Sequence, residues 1–211
     1  MFLTIIIILI LGYLFVTSYN NLQRLASDVK KCNANILSAL TKYSETINKL
    51  QELLEGYVGH EKLMFLKASD NILDMTKAAS NALTHIQSIV QTYPDIKANG
   101  TYQQLMAEVS DIQSELNQRR VIYNEAVASY NTKRSSIPET FYAAALGFPE
   151  APFYDPDNIT AVQEFKTDDG TIVKEMLKKG TDNTVAAVKN AKENISHKLE
   201  EVQQKHNEDE K

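Results

Sequence analysis

The residues most able to do chemistry are His60 and Glu61, which begin like the zinc-protease motif His-Glu-x-x-His. That motif needs a second histidine four residues after the first, where this chain has Met64. A di-iron bundle needs Glu three residues before its histidines, and none of the four histidines has one. No glycine-rich phosphate loop is present. The sequence therefore predicts no enzyme, no cofactor, no metal site and no small-molecule substrate.

His60 and Glu61 are better explained as the start of a second bundle helix, where a carboxylate is favourable near the positive helix end. A polar binding site at this helix turn is the alternative, and His60 is kept as a candidate interaction residue on that basis.

Tyrosine–asparagine pairs are a second polar signal, at Tyr19-Asn20, Tyr123-Asn124 and Tyr130-Asn131. A buried tyrosine hydroxyl needs a hydrogen-bonding partner, and an asparagine amide can supply one. These pairs are expected to make polar contacts that fix helix register. A surface for a partner protein is the alternative.

The stretch from Tyr93 to Asn99 is a third candidate, because a specific loop sequence is less easily explained by core packing than a helix stripe. Structural turn chemistry is the competing interpretation. The candidate interaction residues here are Tyr93, Pro94, Asp95, Lys97 and Asn99.

The first element that must position these residues is an apolar stretch from Phe2 to Val16. Spanning a bilayer takes about 20 residues, so the stretch is long enough only with the polar residues up to Ser18 at the interface. No Lys or Arg precedes it and no small-residue cleavage site follows it. An uncleaved single-pass anchor in the cell membrane is therefore predicted over residues 1–18. A cleaved signal peptide and a buried core helix are the alternatives.

The orientation of this anchor rests on three basic residues. Arg24, Lys30 and Lys31 all follow the apolar stretch. Because positive residues favour the cytoplasmic side, we expect the N-terminus outside the cell and the C-terminal body in the cytoplasm.

Apolar residues then recur every three or four positions over residues 22–57, 63–93 and 102–130, with few Gly or Pro between them. This spacing predicts an all-α fold in which the N-terminal transmembrane helix continues into an antiparallel bundle of long helices. The expected organisation is an anchor over 1–18, a helical bundle over 19–148, a Pro-containing extended strap and irregular segment over 149–182, and a charged C-terminal helix and tail over 183–211.

Composition excludes further classes of function. The net charge is -5 and the pI is about 5.4, which argues against a nucleic-acid binder. Cys32 is the one cysteine, so neither an intrachain disulfide nor a cysteine-based zinc site can form, and a buried position is expected for it.

The predicted C-terminal helix carries a thin apolar seam in which Val188, Ile195 and Val202 are seven residues apart and Leu199 adds to the same side. A seam this thin buries too little to hold an isolated helix. Ile195 and Leu199 are therefore candidate contacts for docking onto a partner or for self-association as a short coiled coil. A solvated helix is the alternative.

Motifs along residues 1–155 resemble the LemA family, in order and at matching spacings. The stretch from Tyr93 to Asn99 matches a YPDLKAN-like motif of that family. The further matches are Tyr19-Asn20, Leu22, Arg24-Leu25, Gly56-Tyr57, His60-Glu61, Arg120, Tyr123-Asn124, Tyr130-Asn131, Pro138, Gly147-Phe148 and Phe153. The departures are Asn33 for a usual Trp, Leu37 for Asp, Lys42-Tyr43 for a basic pair and Asn48 for Pro.

The resemblance implies an N-terminally anchored helical bundle of uncharacterised activity, whose distant relatives are magnetosome proteins implicated in membrane biogenesis. The expected function is a non-enzymatic membrane-anchored scaffold or protein-interaction module. It contacts lipid through the anchor and binds a protein partner or a second copy of itself. A membrane-organising protein, acting by lipid contact or lateral assembly, is the alternative.

Overall fold

The computed structural model describes residues 2–58, 65–67, 69, 71–155, 162 and 164–209, with side chains described up to residue 195. It divides into two compact units, residues 1–167 and 168–211. Four long α-helices are described, with two short 3-10 helices and no strand within the described residues. The all-α prediction is confirmed. The α-helices are α1 (Phe2–Val58), α2 (Ile72–Thr92), α3 (Gly100–Ser135) and α4 (Thr171–Asp209), and the 3-10 helices are Pro94–Ala98 and Glu139–Phe141.

The helix α1 is unbroken over 57 residues, about 85 Å at 1.5 Å per residue. Its apolar side chains are exposed from Phe2 to Val16, and one face becomes buried from Ser18 onward. The N-terminal part is long and apolar enough to cross a membrane, with a mean hydropathy of 2.3 over its most apolar window. The change in exposure falls at the predicted end of the anchor.

The helix α3 packs against α1 in the antiparallel direction, as two contacts at opposite ends show. At the start of α3 the Asn99 amide donates to Tyr57 Oη at 2.9 Å, and beyond its end Tyr142 Oη donates to Ser18 Oγ at 2.7 Å. The turn at residues 93–99 joins α2 to α3, so these two helices are also antiparallel.

The helix α2 runs parallel to α1. The spacing of apolar residues along each helix does not reveal this relative direction. Leu66, between the two helices in sequence, lies beside α1, because it exchanges two hydrogen bonds with the Asn48 side chain, at 2.7 and 2.8 Å. Asn48 therefore holds Leu66 in place.

The predicted stripes form the core of the first unit. Its fully buried large side chains come from all three helices, the turn and the segment that follows α3: Leu22, Ile36, Leu40, Ile47, Leu50, Leu54, Ile72, Ile86, Ile96, Tyr123, Tyr130 and Phe148. Cys32, expected to be buried, is only partly buried, and burial raises the pKa of its thiol.

Two helix boundaries differ from the prediction. The helix α2 begins at Ile72, where Asn71 Oδ1 accepts from Asp74 N at 3.0 Å, so residues 65–67 precede the helix. The predicted start at His60-Glu61 lies outside the described residues. The serines before Pro138, with the proline in the first turn, predict a helix that restarts there and runs to about Leu146. The structure has instead a 3-10 helix of three residues followed by turns.

The C-terminal helix begins at Thr171, so much of the segment predicted as irregular up to residue 182 is helical. The start of this helix, which the sequence analysis did not identify, is capped by Asp168. Its Oδ2 accepts from Gly170 N at 2.8 Å and from Ile172 N at 3.2 Å. Gly170 adopts φ 98°, which favours glycine. Gly180 lies within the helix, where glycine costs only about 1 kcal/mol relative to alanine.

Candidate functional site

A proline-containing segment, residues 147–155, follows the loop after α3 and lies along that helix; we call it the proline segment. Every third residue in it is buried: Phe148, Ala151 and Tyr154. The segment forms neither helix nor strand. Its backbone polar groups must therefore find partners on side chains or in water.

Two asparagines of α3 supply those partners in the same way. Asn131 Nδ2 donates to Ala151 O at 2.8 Å, and Ala151 N donates to Asn131 Oδ1 at 2.9 Å. Asn124 repeats the pattern with Tyr154, whose N donates to Asn124 Oδ1 at 2.7 Å and whose O accepts from Nδ2 at 3.4 Å. An asparagine amide offers both donors and an acceptor, so each one pairs with the segment as a neighbouring strand would.

The tyrosines beside these asparagines add one hydrogen bond each. Tyr130 Oη donates to Pro149 O at 2.7 Å, and Tyr123 Oη donates to Pro152 O at 2.9 Å. Burial raises the pKa of both phenols to about 12, so each hydroxyl stays protonated as a donor even above pH 10, where an exposed tyrosine ionises. Both Tyr-Asn pairs therefore make structural polar contacts, but with the backbone of the proline segment and not between helices, where they were expected to fix helix register.

The repeat distances of the helix and the segment match. Seven residues of α3 separate Asn124 from Asn131 and rise about 10.5 Å. Three residues separate Ala151 from Tyr154, and an extended chain covers about 10 Å in three residues. The proline segment is therefore extended and antiparallel to α3. We call this set of contacts, made by Tyr123, Asn124, Tyr130 and Asn131, the ladder.

A further asparagine continues the spacing of the ladder along α3, and no hydrogen bond joins it to residues 147–155, the part of the strap that the structure describes without a gap. Asn117 lies seven residues before Asn124, on the same face of α3, and its side chain is exposed. The tyrosine of this third position is replaced by Leu116. The sequence contains this signal as asparagines at 117, 124 and 131, although our sequence prediction did not use it.

Asn117 lines a groove of about 300 Å³ between α2 and α3, with α1 as its floor. Gln113 Nε2 donates to Tyr43 Oη across this floor at 3.0 Å. Most of the lining is polar or small: Leu40, Tyr43, Thr76, Ser80, Leu83, Thr84, Gln113, Leu116, Asn117 and Arg120.

Arg120 joins the groove to the ladder. Its guanidinium lies 4.9 Å from the centre of the Tyr154 ring, and its Nη1 donates to Asn117 Oδ1 at 3.2 Å. Its Nε is buried and has no hydrogen-bond partner among the described residues. Arg134, two heptads further on, donates its Nε to Phe148 O at 2.8 Å.

The predicted turn forms a single group of residues at the end of the bundle far from the apolar stretch. Asn99 caps α3, its Oδ1 accepting from Thr101 N at 2.9 Å and Tyr102 N at 3.2 Å, so this candidate has a structural role. The side chains of Tyr93, Pro94, Asp95 and Lys97 are exposed.

The remaining candidates are not brought to this turn by the described structure. His60 lies outside the described residues. Ile195 belongs to α4, in the second unit, where its side chain is 60% exposed. Leu199 lies in the same helix beyond the described side chains. Among the described residues there is no group of three or more His, Cys, Asp or Glu able to hold a metal ion.

The described residues form a bundle of long helices with an exposed apolar N-terminal stretch and a face on α3 that binds extended backbone of the same chain. The chain belongs to the LemA family, whose family model matches residues 32–167, more than half of its length.

The chain is also similar to magnetosome proteins. MamQ 2 and MamQ 1 of Paramagnetospirillum magneticum are each 30% identical to it over 74 residues, and MamQ of Magnetospirillum gryphiswaldense is 27% identical over 74 residues. Each match covers 35% of this chain and 27% of the relative, so the matched region spans about a quarter of those relatives. Family membership, these relatives and the candidate transmembrane helix fit a membrane-associated protein.

Proposed function

We propose that this protein is a non-enzymatic, membrane-anchored scaffold that binds an extended segment of a partner protein in the groove between α2 and α3. The observation that carries this proposal is the ladder. It binds extended backbone at two successive positions, and its third asparagine, Asn117, opens into the groove.

The chemistry of the groove favours an extended partner over a helical one. A groove that binds an amphipathic helix is apolar, because the helix presents an apolar face. Here Ser80, Thr84, Gln113 and Asn117 offer donors and acceptors, while a partner segment offers unpaired backbone N–H and C=O groups. The segment would continue the line of the proline segment along α3, with Asn117 pairing with one residue of its backbone.

Site-directed photo-crosslinking in the intact anchored protein tests this proposal. A photoreactive residue replaces Ser80 on the far wall of the groove, so that any bound segment lies within its reach. We expect an adduct with another protein that is lost on Asn117→Ala and kept on Gln118→Ala. Gln118 is the matched control, because it is an exposed amide residue next to Asn117 that does not line the groove.

The other outcomes contradict the proposal. No adduct, or an adduct that does not depend on Asn117, would show that the groove binds no partner segment. An adduct between two copies of this chain would replace the partner with self-association.

The proposed orientation places the N-terminus outside the cell and the body in the cytoplasm, supported by Arg24, Lys30 and Lys31 after the candidate span. The exposed side chains at Tyr93, Pro94, Asp95 and Lys97 are proposed as a second protein contact at the far end of the bundle, with His60 as a further candidate. Ile195 and Leu199 are proposed as the contact residues of α4.

Membrane organisation is the second candidate function. It is favoured by the similarity to magnetosome proteins over 74 residues. Reconstitution into vesicles distinguishes the two functions: a membrane organiser clusters or deforms the vesicles without any other protein, whereas a scaffold leaves them unchanged.

A further inference from the structure

The loop after α3 lies beside the last turns of the apolar part of α1. The rings of Phe15 and Tyr142 are 5.0 Å apart, and Tyr142 Oη donates to Ser18 Oγ at 2.7 Å. Phe15 belongs to the candidate span and Ser18 is the first buried residue after it. The loop is therefore at the level where the candidate span meets the surface of a bilayer.

A buried carboxylate fixes the loop in this position. Glu139 is fully buried, and its Oε1 accepts from Ser18 Oγ and from Lys133 Nζ. Burial opposes ionisation of this carboxyl, but the bonds from Lys133 and Ser18 outweigh it and hold the pKa of Glu139 below its ordinary value. Glu139 is thus charged at neutral pH and ties the loop to both α1 and α3.

With Glu139 turned inward, the residues two positions before and after it point outward. Ile137 and Phe141 are each 78% exposed, more than any other large apolar side chain of the described residues except Phe2, at 82%. Single exposed apolar residues need no explanation, but these two flank one anchored residue beside an apolar span.

We propose that this loop dips into the membrane next to the span, with Ile137 and Phe141 inserted among the lipids of the same leaflet. The inference rests on the proposed anchor. Lipid is the occupant because the apolar surface of the loop lies at the level where the span's own lipid-facing surface ends.

Tryptophan fluorescence tests the proposal, because the chain contains no tryptophan and each variant carries a single reporter. The full chain is reconstituted in phosphatidylcholine vesicles with or without bromine on the acyl chains, which quenches tryptophan on contact. The reporters are Phe141→Trp in the loop, Leu9→Trp in the span and Val121→Trp on α3. Val121 is the matched control, because it is an apolar residue that is 58% exposed and lies well away from the span.

We expect blue-shifted emission and loss of intensity in brominated lipid for Leu9→Trp and Phe141→Trp, with neither effect for Val121→Trp. Quenching at position 9 without quenching at 141 would overturn the loop proposal and leave the anchor in place. A blue shift at 141 without quenching would also overturn it, because protein would then cover the loop. Absence of quenching at position 9 would overturn the anchor itself.

Discussion

Asn131 and Ala151 exchange two hydrogen bonds, with the asparagine amide acting as the edge of a neighbouring strand toward the proline segment. Ala151 is fully buried, so both of its backbone groups depend on this one side chain. The contact joins two parts of the chain twenty residues apart in sequence.

Asn131→Ala should lower the free energy of unfolding by about 2–6 kcal/mol, because it leaves a buried N–H and a buried C=O unsatisfied, at about 1–3 kcal/mol each. Asn117→Ala is the control, since Asn117 is exposed and makes no contact with the proline segment. Denaturant unfolding of the detergent-solubilised protein measures the difference. Equal effects of the two substitutions would show that the ladder does not stabilise the fold.

The ladder tyrosines predict an alkaline transition. The folded pKa of Tyr123 and Tyr130 is raised from 10.0 to about 12, so their contribution to stability is fully present below pH 10 and is lost as the pH rises through about 12. Absorbance at the phenolate band during a pH titration should show a late component. That component should be absent from the titration of the Tyr123→Phe, Tyr130→Phe double variant, and its persistence there would contradict the prediction.

Glu139 predicts an acid transition of the opposite sign. Its folded pKa is lowered from 4.5, so its contribution is present above pH 4.5 and is lost as the pH falls through the lowered value. Glu139→Gln should remove this acid-sensitive stability and leave Lys133 without its partner, at a cost of about 1–3 kcal/mol. Glu115→Gln is the control, because Glu115 pairs with Arg119 at a partly exposed site. Equal acid profiles for the two variants would rule out this role.

The apolar seam of α4 predicts that this helix binds a partner protein or a second copy of this chain. Ile195→Asp with Leu199→Asp should abolish self-association or partner capture without changing the melting of the bundle, because charges do not fit a buried seam. Asn190→Asp with Asn194→Asp is the matched control, with the same charge and spacing on the other side of the helix. Unchanged oligomer size and capture in the seam variant would leave α4 as a solvated helix.

The anchor predicts a mature protein that keeps its N-terminus. N-terminal sequencing should find residues 1–16, and carbonate extraction should leave the protein in the membrane. A reporter fused at Lys211 should behave as cytoplasmic. A mature chain that starts after Val16 would contradict the anchor, and a reporter active only outside the cell would reverse the orientation.

The helices of the bundle could be predicted because helical periodicity is local: each stripe repeats within a few residues and reports on its own segment. The directions of the helices were predicted only in part, because α3 is antiparallel to α1 as expected whereas α2 is parallel to it. The parallel course of α1 and α2 depends on Asn48 holding Leu66, a contact between a helix and a segment with no repeating pattern.

The candidate site was also predicted only in part, because the sequence shows local patterns but not the distant segments that they contact. The Tyr-Asn pairs were visible, but their partners lie about 20–30 residues away in a segment whose backbone, not its side chains, is bound. The start of α4 at Thr171 was missed because it depends on the bonds of Asp168, whereas the apolar pattern there is weak.

Because α1 is unbroken, a change in its inclination displaces its far end. From Val16 to Val58 it extends about 60 Å, and its far end is bonded to the Tyr93–Asn99 turn through Tyr57. A change of about 10° in the inclination of the span, small against the spread of roughly 40° among transmembrane helices, swings that turn sideways by about 10 Å. In the proposed anchored protein, a bilayer that changes the inclination of the span in this way would move the distal turn by about the width of a helix, without any change within the bundle.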